Sequence, residues 1–189
     1  MFGRGKGSGL LKWSLIGSAI AGGIALIPLV PVLKKKAMRA TVILKKDHRM
    51  VSGLMMTLEM TPKFSGMARK ALFDQIRNSL MIHTQCEEEI FYPAIRNVTF
   101  GGEAGKVDEA YREHQTVKDL LNQMSDMDVT ADEFDRKLAE LKENIQHHVE
   151  EEENEMFPMA TSRMSPERLE DIGERIHSRK MDLKTQMAA

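Results

Sequence analysis

Two stretches of the chain repeat a histidine, a glutamate and a proline at the same offsets. The string His83-Thr-Gln-Cys-Glu87-Glu-Glu-Ile-Phe-Tyr-Pro93 matches His148-Val-Glu-Glu-Glu152-Glu-Asn-Glu-Met-Phe-Pro158. Upstream of each stands another histidine in a similar setting, Asp47-His48-Arg-Met-Val51 and Glu113-His114-Gln-Thr-Val117. The gaps are 35 residues from His48 to His83 and 34 from His114 to His148. Residues i and i+4 lie one turn apart on the same face of a helix, so His83 with Glu87, and His148 with Glu152, can reach one point.

Four imidazoles and two carboxylates facing one interior are too many donors for one tetrahedral zinc, and too rich in nitrogen for calcium or magnesium. Imidazole suits iron, and a carboxylate can bridge two cations while offsetting part of their charge. Burying such groups without a cation is costly. A single His-x3-Glu pair on an acidic helix reads as a solvated ion pair, and a lone histidine as a surface or satisfied core residue. The shared spacing to a proline and to an upstream histidine makes coincidence the weaker reading. A ferritin-like site needs Glu-x-x-His on two helices, and none of these four histidines has a glutamate three residues before it.

At these residues, over about 40–160, the sequence resembles the hemerythrin family, specifically its bacterial cation-binding HHE branch. The resemblance implies metal ligands at His48, His83, Glu87, His114, His148 and Glu152. It further implies a cofactor of two non-haem iron ions, bridged by the two glutamates and completed by two histidines each. The oxygen carriers of the family use five histidines. Here His147 lies about 100° around the helix from His148 and reads as a solvated or supporting residue. Relatives tied to iron–sulfur repair carry a cysteine-bearing N-terminal domain, where a basic anchor is expected here. The expected role is binding or sensing of oxygen, nitric oxide or peroxide. The alternatives are an enzyme turning over peroxide or nitric oxide, and an iron storage or delivery protein.

Long stretches free of Gly and Pro must position these groups, which implies an all-α fold. Helices are expected over about 40–60, 66–97 and 103–125. A fourth opens at a Thr130–Glu133 capping box and lasts to Pro158, and a fifth opens at Ser165-Pro166. Short connections between long helices imply an up-down-up-down four-helix bundle over 40–160, with an extra C-terminal helix over 161–189.

Residues 1–39 read differently. The stretch 13–33 is uncharged and long enough for about 30 Å of helix. Small residues recur every fourth position at Ser14, Ser18 and Gly22. A membrane-anchor helix is expected, with a signal peptide and a buried helix as rivals. Nine bases and no acid within residues 1–46 would place the bundle in the cytoplasm; a soluble cytoplasmic protein is the alternative.

The remainder holds 18 bases against 28 acids, a poor surface for nucleic acid, so no nucleic-acid partner is expected. The expected partners are a small diatomic ligand or peroxide, the membrane, and a redox partner of unspecified kind. The single cysteine, Cys86, excludes an intramolecular disulfide and reads as a small buried hydrophobe. Tyr111, one turn before His114, reads as a core residue or a hydrogen-bond donor near the metals. Glu150, Glu151 and Glu153 read as a solvated face, His177 as a surface residue, and the fifteen methionines as core filling. No nucleophile triad or phosphate-cradling loop is visible, so no catalytic residue is assigned.

Overall fold

The computed structural model of the protein describes residues 36–188. All of its regular structure there is helical. Helix α1 (Ala40–Met60) buries Leu44, His48, Val51, Met55 and Leu58 at helical spacing. It stops at Thr61, which is extended because Pro62 follows. Helix α2 (Gly66–Cys86) returns alongside α1. The direction is fixed at both ends: Arg69 near the turn bonds the Leu58 carbonyl, while His83 near the far end meets His48.

Helix α2 does not stop at Cys86. It passes through one π turn (Glu87–Phe91) into α3 (Tyr92–Arg96). A short 3₁₀ turn (Gly101–Glu103) leads to α4 (Ala104–Ser125) and α5 (Asp132–Glu151). The second hairpin repeats the device, with a π turn (Glu152–Met156) into α6 (Phe157–Arg163). Finally α7 (Pro166–Ala188) lies across α1 and α2.

Two expectations about helix ends are corrected. The fourth helix runs past Pro158 to Arg163. The π turn places Pro158 in the first turn of the resumed helix, where a missing N–H costs nothing. The Thr130–Glu133 capping box does not form. Instead the Thr130 amide and hydroxyl both donate to Asp128 Oδ1, at 2.9 and 2.7 Å, and Ala131 precedes the helix without a side-chain cap. A local side-chain turn has displaced the helix cap. At α7 the expected cap is present, with the Arg168 amide donating to Ser165 Oγ at 3.2 Å.

The bundle interior divides into two apolar clusters. One gathers Val51, Leu58, Phe73, Leu80, Val117, Phe134 and Ile145 around the turn of the first hairpin. The other gathers Leu44, Phe91, Tyr92, Ile95, Val107 and Phe157, closed over by Leu169, Ile172 and Ile176 of α7. The site histidines lie between them. Helix α7 approaches the start of α1 so closely that a Cβ at Gly173 would fall 1.7 Å from the Met38 carbonyl oxygen, so only glycine is accommodated there. The methionines fill the core only in part. Met55, Met124, Met156 and Met164 are buried, whereas Met56, Met60 and Met67 are exposed.

The expected transmembrane anchor is corrected as a description of this fold. No helix among the described residues is long and apolar enough to cross a membrane. The stretch 13–33 lies outside the described residues.

Candidate metal centre

All six sequence-predicted donors are buried and converge on one layer of the bundle. The imidazoles meet in pairs, with His48 Nε2 and His83 Nε2 3.2 Å apart, and His114 Nε2 and His148 Nε2 3.2 Å apart. Each carboxylate reaches one histidine of each pair. Glu87 Oε2 lies 3.1 Å from His83 Nε2 and 3.3 Å from His114 Nε2. Glu152 Oε2 lies 3.3 Å from His48 Nε2 and 3.7 Å from His148 Nε2. Donors around a common ion at about 2.1 Å stand roughly 3.0–3.4 Å apart, so the spacing suits cations between them.

Neither oxygen of Glu87 has an aligned hydrogen-bond partner among the described residues, and Glu152 Oε2 has none either. Three fully buried carboxylate oxygens without a donor are exceptional in a folded protein, and each costs a desolvation penalty. Burial, and the charge of Glu152 beside it, push Glu87 well above the ordinary carboxylate range. Burial would raise Glu152 too, but the imidazoles of His148, His48 and His83 outweigh it and hold this group low. Burial drives His83 down to about 4, so a proton is poorly tolerated there and a lone pair is available. The donor set therefore fits divalent or trivalent cations.

A second ring of carboxylates, unforeseen from the sequence, fixes the imidazoles from outside. His48 Nδ1 meets Glu153 Oε1 at 2.9 Å, His114 Nδ1 meets Glu88 Oε1 at 3.0 Å, and His148 Nδ1 meets Glu113 Oε2 at 2.8 Å. His83 Nδ1 faces Asp47 Oδ2 at 3.5 Å, too far for a full hydrogen bond. A carboxylate accepts, so Nδ1 carries the proton and the Nε2 lone pair turns inward, as metal ligation requires. The arrangement follows the repeat: the acid before each lone histidine serves the partner helix, and the acid after each buried glutamate serves the opposite hairpin. Glu153 is thus no solvated residue.

Glu87 and Glu152 point inward because each lies four residues after an inward-facing histidine, and their neighbours Glu88 and Glu153 turn about 100° away to reach outer nitrogens. At each buried glutamate a π turn inserts a residue into the ladder, a recurrent device at functional sites. The Tyr92 and Phe157 amides bond five residues back, to the Glu87 and Glu152 carbonyls. Pro93 has no N–H to donate, and the Glu88 carbonyl instead accepts the Tyr111 hydroxyl at 3.0 Å.

Tyr92, which sequence reasoning passed over, touches the centre. Its hydroxyl donates to Glu152 Oε1 at 3.0 Å and lies 3.0 Å from His114 Nε2. Burial and the nearby charges of Glu152 and Glu87 push its ionisation far up, so it stays a donor. Phe157 holds the matching place in the second half and stacks on His48, with centroids 5.7 Å apart. The only available signal was that Tyr92 immediately precedes the repeated proline. On the opposite side, Val51, Leu80, Val117 and Ile145 join the four histidines around a cavity of about 20 Å³. That is room for one water-sized molecule. His147 stays outside the centre, and Cys86 is buried beside it, its thiol pushed up to about 11 by burial. His177 is exposed.

A helical bundle with histidine and glutamate donors clustered between its helices is a metal-binding bundle protein. The chain belongs to the hemerythrin HHE cation binding domain family, whose model matches residues 39–160. It is similar to the crystal structure of a hemerythrin HHE cation binding domain-containing protein from Mycobacterium kansasii. The TM-score is 0.67 at 26% identity, covering 78% of this chain and 88% of that one. A hemerythrin-like protein of Schizosaccharomyces pombe is 29% identical over 140 residues, 73% of this chain and 67% of that protein. A Nostoc protein named as a DNA nickase is 30% identical over 136 residues; the match takes in 72% of this chain but only 37% of that protein's length.

Proposed function

We propose that the chain holds two non-haem iron ions in this centre and turns over peroxide or nitric oxide there. His48 and His83 would serve one ion and His114 and His148 the other, with Glu87 and Glu152 between them. The bound irons would supply one-electron chemistry and coordination positions open to a small ligand. The observation that carries the reading is the Tyr92 hydroxyl, a buried donor from the first hairpin that lies 3.0 Å from both His114 and Glu152 of the second. It can place a proton where a reduced oxygen or nitrogen species would need one. Three imidazoles hydrogen-bonded to outer carboxylates, and a fourth facing one, keep the donors aligned through repeated cycles. The apolar walls of the cavity restrict entry to small molecules.

Reversible binding or sensing of oxygen, nitric oxide or peroxide is the second reading, and the small size of the cavity favours it. Storage or delivery of iron would instead require release under mild reduction. Nicking of DNA is not carried over from the Nostoc relative, because the acid excess beyond residue 46 repels phosphate. The test is steady-state kinetics on iron-loaded protein with hydrogen peroxide and with nitric oxide under an electron donor. Many turnovers per chain are expected. A single stoichiometric spectral change, reversed when the ligand is removed, would favour sensing.

A further inference from the structure

Outside the centre, three side chains bring metal-type donors together at the protein surface. His147 Nε2 lies 3.4 Å from Glu113 Oε1 and 3.5 Å from Glu151 Oε1. All three donor atoms fall within 4.8 Å of one another. Tetrahedral donors at about 2.1 Å from one ion stand about 3.4 Å apart, close to these spacings.

The charge around the four outer carboxylates supplies an independent reason. Asp47 is neutralised by Lys180, with Nζ 2.6 Å from Oδ2. Glu88 is neutralised by Lys118 at 2.6 Å, and Glu153 by Lys45 at 3.2 Å. At the fourth corner the repeat is broken. Glu113 faces the His147 imidazole in place of an ammonium, and a second carboxylate, Glu151, joins it. Lys106, on the same helix as Glu113, is engaged by Glu155. Three corners thus carry a fixed cation, and the fourth carries an extra carboxylate and an imidazole.

We propose that His147, Glu151 and Glu113 form a third, solvent-facing site for a first-row divalent cation such as Zn²⁺, Fe²⁺ or Mn²⁺. Three protein donors leave positions for water, as befits an exchangeable site. Glu113 joins it to the interior, since its Oε1 faces the outer site while its Oε2 accepts from His148 Nδ1 at 2.8 Å. An ion here therefore sits one carboxylate away from the centre, placed to receive metal on its way in.

The test is equilibrium dialysis of full-length protein, carrying its interior metal, against zinc. The unaltered chain should take up about one zinc ion more than His147→Ala or Glu151→Gln. Both substitutions are outside the buried centre, so its metal content should be the same in all three chains. Only the difference between chains is read, so the outcome is independent of which metal fills the centre. Equal zinc uptake in the three chains would overturn the proposal. So would loss of the interior metal together with the extra zinc, because the residues would then belong to the centre itself.

Discussion

The Tyr92 hydroxyl donates to Glu152 Oε1 across 3.0 Å, tying the proline-bearing end of the first hairpin to the buried carboxylate of the second. Phe157 occupies the matching place in the second half and has no hydroxyl to return the contact. The two ends of an otherwise near-symmetric centre are therefore chemically different. Removing that difference with Tyr92→Phe should leave the metal in place, because Tyr92 is not among the six donors. Turnover should fall roughly 10- to 100-fold, the usual effect of losing a group that orients ligands. The fold should lose about 1 kcal/mol through the orphaned acceptor. Unchanged turnover with metal retained would remove Tyr92 from the chemistry.

Ligand substitutions give a direct count. Iron-grown protein should hold about two irons per chain, and His83→Ala or His148→Ala should retain about one or fewer. His177→Ala, on an exposed residue of α7, should retain both. Elemental analysis after gel filtration reads the outcome. Full iron in either ligand variant would refute the assignment, and one zinc per chain from iron-sufficient cells would refute the iron pair.

Metal removal should be felt throughout the bundle. Without cations, Glu87 and Glu152 face each other in the interior with unpartnered oxygens. Stripping the protein with a chelator should lower its melting temperature by on the order of 10 °C. Equal melting of stripped and loaded protein would mean that the donors relax without cost.

These contacts also show what could be read from the chain alone. The convergence of these six side chains was legible because i, i+4 spacing and a repeated proline survive without knowledge of the third dimension. The outer carboxylates were not. Asp47 is next to His48 in sequence but faces His83, because neighbours on a helix point about 100° apart and cannot serve one imidazole. Glu153 reaches His48 across 105 residues, a pairing that only packing creates. The helix expected over 66–97 does run through Pro93, but the stop expected at Pro158 does not occur, because the π turn that carries that helix on to Arg163 leaves no mark in the spacing of the donors.

Helix α7 offers a test far from the metal. A Cβ at Gly173 would collide with the Met38 carbonyl oxygen at 1.7 Å and crowd the Ala40 amide at 2.8 Å, both backbone atoms with little room to give. Gly173→Ala should destabilise the protein by about 1–3 kcal/mol in chemical denaturation. Its metal content should not change, since α7 contributes none of the six donors. Wild-type stability would show that α7 can lift from the start of α1 without penalty.

The partition of donors between hairpins has a kinetic meaning. Helices α1 and α2 meet through a turn at 61–65, and α4 and α5 through one at 126–131, so each hairpin can close early through contacts local in sequence. Each brings only half the set: His48, His83 and Glu87 from one, His114, His148 and Glu152 from the other. The set is complete only after the hairpins dock, when Glu87 reaches His114 and Glu152 reaches His48. An ion held there acts as a latch on a finished structure. It does not guide the chain toward that structure, and its main effect falls on how slowly the docked hairpins come apart.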